Sequence, residues 1–221
     1  MIKIEKIEVW GFEHAIRGMR NPMNSWDKSD SIFVVTGANG NPEIQARIGE
    51  NDLDLMRRLY KAGHPHRKYL RQIMVSMDIT APLYWWKEMD TYRVGVTRNS
   101  CSTMHKIHAK AFTLDDFSHE HLESAGLRTL ESVIERLNQA RNYFIGKYDN
   151  VQSDVDKKSY WWEMIQLLPS SYNQKATITC NYENIVNMLQ YRSEHKLDEW
   201  RKFCEVMKSD LPYLAEIIKN D

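Results

Sequence analysis

Between residues 69 and 80 apolar and polar side chains alternate, with Ile73, Val75, Met77 and Ile79 on one parity and Met74, Ser76, Asp78 and Thr80 on the other. Successive side chains of an extended chain point to opposite faces, so this period predicts a strand with one buried face. Ala81 and Pro82 end it. Proline has no N–H for a ladder bond but is accepted in the first turn of a helix, so residues 82–89 are the predicted helix that follows. A half-buried strand needs further strands beside it and a cover over its apolar face.

Further strands are predicted at residues 2–9, where Ile2, Ile4, Ile7 and Val9 alternate imperfectly with charges, at 31–36 and at 176–180. Gly37 to Pro42 reads GANGNP and supplies turn chemistry. No Lys-Ser/Thr pair follows these glycines, which favours a hairpin over a phosphate loop. Helical spacing appears at 13–19, at 51–62 with Asn51 as cap and Gly63 as stop, and at 122–148, the longest run. It recurs at 159–168, at 182–192 behind Asn181 as cap, at 196–208, and in a short last helix near Ile218. The expected fold class is α/β (α+β), in one domain spanning residues 1–221.

Lysine plus arginine and aspartate plus glutamate are each 30, so no global field draws the chain to nucleic acid or to an anionic membrane. Any nucleotide must be held by a local cluster. The three cysteines, Cys101, Cys180 and Cys204, show no paired spacing and point to a reduced, cytoplasmic protein. No signal peptide or membrane anchor is expected.

Residues 82–106 carry the densest chemistry. Tyr84, Trp85, Trp86 and Tyr92 offer flat faces for a planar ring, with core or subunit interface as the other use of the two tryptophans. Thr97, Asn99, Ser100, Ser102 and Thr103 follow as a hydroxyl-rich turn suited to phosphate or ribose oxygens, with Arg93, Arg98 and Lys106 as cations. The predicted site is the wall of a pocket for a nucleotide or flavin. His64, His66, His105 and His108 lack a third ligand at diagnostic spacing, so no metal site is expected.

This stretch resembles the flavin-dependent thymidylate synthases, or thymidylate synthase complementing proteins. Their pattern is R-H-R, two residues, S, one residue, N or Q, E or Q, one residue, S, one residue, R. Aligning Ala81 and Pro82 with the small residue and proline before that motif puts Thr91, Tyr92 and Arg93 on the R-H-R triplet. A one-residue insertion then puts Thr97, Asn99, Ser102 and Met104 on later positions; without it, Cys101 and Thr103 take the last two. Gly63 and His64 match a Gly-His pair that precedes the motif. Farther on, Leu168-Pro169, Asn181, Asn187 and Arg192 keep the family's spacing, while Glu183 stands where it has an arginine, and Glu199-Trp200-Arg201 echoes a Glu-Ile-Arg triplet.

The resemblance implies a central, mostly antiparallel sheet flanked by helices and a cytoplasmic homotetramer with sites shared between subunits. It implies FAD as cofactor, contacted by His64, Arg93, Asn181 and Asn187. It implies deoxyuridine monophosphate as substrate, with Asn99, Ser100, Ser102 and Arg98 toward the nucleotide and Arg192 on the uracil as the catalytic group. A permanently charged planar donor suits that last task, since it stabilises charge growing on a carbonyl oxygen without losing a proton. NADPH and methylenetetrahydrofolate are the implied co-substrates, and nucleic acid and membrane are not implied partners. Against the active enzyme stands a second reading, a catalytically degenerate member that binds a nucleotide or other ring-bearing ligand or is an oligomeric scaffold. Thr91, Tyr92, Met104 and Glu183 are the departures that keep it open.

Overall fold

A computed structural model describes residues 2–36, 43–148 and 154–219. In chain order the elements are β1 (Lys3–Trp10), α1 (Phe12–Arg20), β2 (Ile32–Thr36), β3 (Glu43–Arg47), α2 (Glu50–Lys61), β4 (Met74–Pro82), α3 (Leu83–Met89), β5 (Thr97–Ser100) and α4 (Thr103–Lys106). They continue as α5 (Ser124–Phe144), α6 (Asp154–Leu167), β6 (Asn173–Asn181), α7 (Tyr182–Arg192), α8 (Asp198–Asp210) and α9 (Leu214–Ile218). The central sheet is antiparallel and flanked by helices, as expected, with strand order β1-β4-β6-β5, and β2 and β3 form a separate two-stranded sheet.

The alternation at residues 73–80 becomes alternation in burial. Val75, Met77 and Ile79 are fully covered, while Ser76, Asp78 and Thr80 are half-covered on the other face. Asp78 accepts from Thr177 Oγ1 at 2.6 Å, and Thr179 Oγ1 lies 3.4 Å from Ser76 Oγ, so the half-buried face of β4 is tied to β6 by side chains as well as backbone. β4 begins at Met74, later than the sequence predicts, because Lys68–Gln72 tightens into a 3₁₀ turn that buries Tyr69 and Leu70. In β1 the imperfect period has a local cause: Lys6 adopts a left-handed φ of 52°, which takes up the odd residue between Ile4 and Ile7.

The chain folds as two compact units, and β4 and β6 each run from one into the other. The first comprises Met1–Lys3, Ile79–Thr91 and Asn99–Ala176. Its core gathers Leu130, Ile134, Leu137 and Ala140 of α5 with Met164 of α6, Ile107, Phe112 and Phe117. Trp85 and Trp86 are also buried here, and Trp86 Nε1 donates to the Gln174 carbonyl at 2.9 Å, so both tryptophans serve the core of this unit.

The second unit comprises Ile4–Asp78, Tyr92–Arg98 and Thr177–Asp221. β2 and β3 pair antiparallel from Ile32↔Arg47 to Thr36↔Glu43, the arrangement of a hairpin; its turn at 37–42 lies outside the described residues. The cap of α2 is not Asn51. Asp30 accepts from the backbone N–H groups of Asn51 at 2.9 Å and Asp52 at 3.1 Å, so a carboxylate from outside the helix satisfies its first donors. Asp52 itself is buried and accepts from Arg20 Nε at 2.6 Å, Ser29 Oγ at 2.7 Å and Ser31 Oγ at 2.6 Å.

Candidate functional site

Helix α7 carries three of the residues singled out from the sequence, and its start folds as the sequence dictates. Asn181 Oδ1 accepts from the Asn184 backbone N–H at 3.0 Å, and Asn184 Oδ1 accepts from Asn181 N–H at 3.2 Å, a reciprocal capping box. Asn184 Nδ2 also donates to the Val94 carbonyl at 2.8 Å. That bond anchors the loop bearing Arg93, which is exposed, to the first turn of α7. Gly95 in this loop has φ 75°, which calls for glycine, and a Cβ there would lie a tight 3.1 Å from Asn184 Oδ1.

In the first turn of α7, Glu183 is 6% exposed and faces two guanidiniums and an imidazole from the segment after α2. Gly63, with φ 93°, turns the chain at the end of α2, and the 3₁₀ turn behind it aims Arg67 and Arg71 at the carboxylate. Arg71 Nε donates to Glu183 Oε2 in a short contact, and this bond raises the guanidinium pKa further. Arg67 Nε lies 3.6 Å and His64 Nε2 3.4 Å from Glu183 Oε1, which is buried and accepts no hydrogen bond from the described residues. Arg67 Nη2 donates to Asn187 Oδ1 at 3.3 Å, and Arg71 Nη2 lies 3.1 Å from His64 Nε2. His64 and Asn187, predicted together from the sequence, are therefore joined through two arginines around a carboxylate.

Arg192 ends α7. Its Nε donates to Tyr92 Oη at 3.0 Å, and its guanidinium lies 5.5 Å from the Tyr92 ring centre and 5.1 Å from that of Trp200. Trp200 is fully buried and fixes the floor of this arrangement. The planar cation is thus held among aromatic rings while remaining half-exposed. Glu183 and Arg192 are nine residues apart, about 14 Å along the axis and half a turn out of phase, so they occupy opposite faces of α7.

The hydroxyl-rich segment is less a turn than an edge strand. Burial along β5 alternates, leaving Thr97 and Asn99 exposed and Arg98 and Ser100 half-covered, so Arg98, Asn99 and Ser100 do not share one face. Ser102 caps α4, accepting from the His105 N–H at 3.0 Å. Beside it, within the first unit, a cavity of about 390 Å³ is rimmed by Cys101, Ser102, Thr103, Lys106, Lys110 and Lys175 and floored by Ile107, Phe112 and Tyr172. Burial first, then the neighbouring Asp116 and Cys101, push the Tyr172 hydroxyl pKa up. Lys110 pairs with Asp116, whose carboxyl sits below its usual range although burial opposes this, because Lys110 and Thr113 donate to it. Among the described residues no group of three histidine, cysteine or acidic side chains gathers as a metal site, and no helix is long and apolar enough to cross a membrane.

Arg67 and Arg71 were not among the residues the sequence singled out. A signal was present: from Leu55 to Met77 the chain has six lysines and arginines and no acid, in a protein of zero net charge. Charge so localised must find its partners elsewhere in the chain. Glu183 is that partner.

No protein-family model and no curated protein matches the chain. Solved structures do. Thymidylate Synthase X (ThyX) from Helicobacter pylori, crystallised with FAD and dUMP, superposes with a TM-score of 0.64 at 15% identity, covering 99% of this chain and 97% of its own. A second structure of the flavin-dependent thymidylate synthase ThyX from Helicobacter pylori, also complexed with FAD and dUMP, gives 0.63 at 15% identity with 97% of each chain covered. The likeness extends over nearly the whole length and establishes a shared fold.

Proposed function

We propose that this chain is a flavin-dependent thymidylate synthase-like protein that binds FAD and deoxyuridine monophosphate and methylates the nucleotide using methylenetetrahydrofolate, with NADPH as reductant. The observation that carries this reading is the setting of Arg192 at the end of α7, a half-exposed guanidinium held between Tyr92 and Trp200. Such a group binds and polarises a flat carbonyl-bearing ring, and its fixed orientation keeps the entropic cost of binding low. The fold shared with enzymes crystallised with FAD and dUMP supports the choice of ring.

The chemistry at the other end of α7 fits a flavin nucleotide. His64, Asn187 and the two arginines around Glu183 provide cationic and amide donors for its phosphates and ring edges, with Asn181 and Arg93 nearby in sequence or loop. When bound, the flavin supplies the reducing equivalents; the side chains bind, orient and exclude water. Ser102, Asn99, Ser100 and Arg98 are proposed nucleotide contacts. Because Glu183 and Arg192 lie on opposite faces of α7, a single chain does not close both groups on one pair of stacked rings. This supports the homotetramer in which neighbouring copies complete each site.

A second reading, a degenerate member that binds nucleotide without turnover, is favoured by one feature: Tyr92 Oη occupies the Arg192 Nε–H. A visible spectrum and titrations with FAD and dUMP test both. The enzyme reading requires flavin absorption, dUMP binding that Arg192→Ala weakens by about tenfold or more, and thymidylate formation. Flavin and dUMP binding without product supports the second reading. A colourless protein that takes up no flavin removes the first.

A further inference from the structure

The cluster around Glu183 has an internal imbalance. Two guanidiniums and an imidazole face a single carboxylate, and one of its buried oxygens, Oε1, accepts no hydrogen bond from the described residues. A pair built only for stability has one cation per anion with the remaining lone pairs satisfied, because unshared charge in a desolvated setting is costly. Here the surplus is in positive charge, and it reaches the surface through Arg71, whose side chain is 46% exposed, beside His64 at 64%, while Arg67 behind them is 14% exposed. Each arginine directs its Nε toward Glu183 and its Nη2 to Asn187 or His64, and among the described residues the Nη1 of each meets no acceptor.

The carboxylate therefore acts as a strut. It fixes the orientation of two guanidiniums, Arg71 at the surface and Arg67 largely covered behind it, which lowers the entropic cost of presenting them together to an anion. A planar guanidinium bonds two phosphate oxygens at once, so two held side by side suit a group with several of them. Segment 64–71 supplies both guanidiniums and the imidazole, with Tyr60 beneath Arg67 at 5.6 Å as a further support.

We propose that Arg67 and Arg71, positioned by Glu183 and flanked by His64, form a cradle for a diphosphate group such as that of a dinucleotide cofactor. The proposal rests on the flavin reading above for the identity of the dinucleotide, while the site itself rests on the charge arrangement. Arg67 and Arg71 contact the ligand; Glu183 is a positioning residue.

The test uses calorimetric titration of the full chain with FAD, with riboflavin, which lacks the phosphates, and with inorganic pyrophosphate. Arg71→Gln is expected to weaken FAD and pyrophosphate by about tenfold to a hundredfold while riboflavin affinity is unchanged. In Arg71→Gln with Glu183→Gln no buried carboxylate loses its partner, and circular dichroism checks the fold; the same selective loss is expected. If both variants bind FAD and pyrophosphate as the unsubstituted chain does, the cradle is wrong and the flavin reading stands. Pyrophosphate binding that depends on Arg71 in a chain that takes up no flavin supports the cradle and removes the flavin reading. Absence of binding for both ligands removes both.

Discussion

Asp52 and Glu183 are both buried carboxylates facing arginine, yet their surroundings differ in completeness. Asp52 receives one guanidinium, two hydroxyls and the backbone N–H groups of Asp30 at 3.2 Å and Ser31 at 3.1 Å, so both oxygens are satisfied. Its partner Arg20 is equally buried and also donates to the Ser25 carbonyl at 3.1 Å. Glu183 instead has more cations than it can use, one oxygen with no donor among the described residues, and partners that reach solvent. The closed arrangement holds the turn before β2 against α2. The open one retains donors for something outside the chain. Burial of a charge is therefore poor evidence of its purpose until the lone pairs around it are accounted for.

The largest expected effect comes from the closed site. Asp52→Ala leaves the Arg20 charge buried without its counterion and is expected to cost about 3 to 5 kcal/mol in urea unfolding. The same carboxylate sets an acid limit. Burial alone raises its pKa, but bonds from Ser31, Ser29 and Arg20 outweigh burial and hold it below the usual value of 3.8. A folded pKa below the unfolded one gives stability that is complete above the unfolded value and is lost as pH falls through the folded one. Unfolding titrated below about pH 4 should show a steeper loss in the native sequence than in Asp52→Asn, which keeps only the contribution of other depressed carboxyls such as Asp116.

Glu183→Gln should cost less, about 1 to 3 kcal/mol, because the half-exposed Arg71 turns to solvent when released and Arg67 keeps its bond to Asn187. Equal losses in Asp52→Ala and Glu183→Gln would erase the distinction between the two sites. The smallest effect is at the start of the same helix, where Asn181→Ala removes one arm of the capping box and should cost about 1 kcal/mol, with Asn181→Ser restoring most of it.

How far the sequence led depended on how local each determinant is. Asn181 as the cap of α7 was legible because the cap, the N–H that donates to it and the helix start occupy four consecutive residues. The strand β4 was legible because alternation is written in one run, although its first residues were lost to the 3₁₀ turn that buries Tyr69. Asn51 failed as a cap because Asp30, about twenty residues away, does that work through a loop with no periodic signature. Glu183 illustrates the same limit at the site: alone it was only a departure from a cationic pattern, and its meaning appears when Arg67 and Arg71 come beside it from more than 110 residues away in sequence. For β5, composition suggested a turn, whereas pairing at the sheet edge imposes an extended chain and separates side chains that are neighbours in sequence.

Helix α6 has consequences for the bench. Met164 faces the core, but Val155, Trp162 and Leu167 on its other sides are exposed, so this helix offers apolar side chains to the solvent. Fluorescent dyes that brighten on greasy surfaces will glow before any heating, and melts followed that way will start from a high baseline. Ellipticity is the sounder gauge for the variants above, and vessels treated against adsorption will keep dilute samples at their nominal concentration.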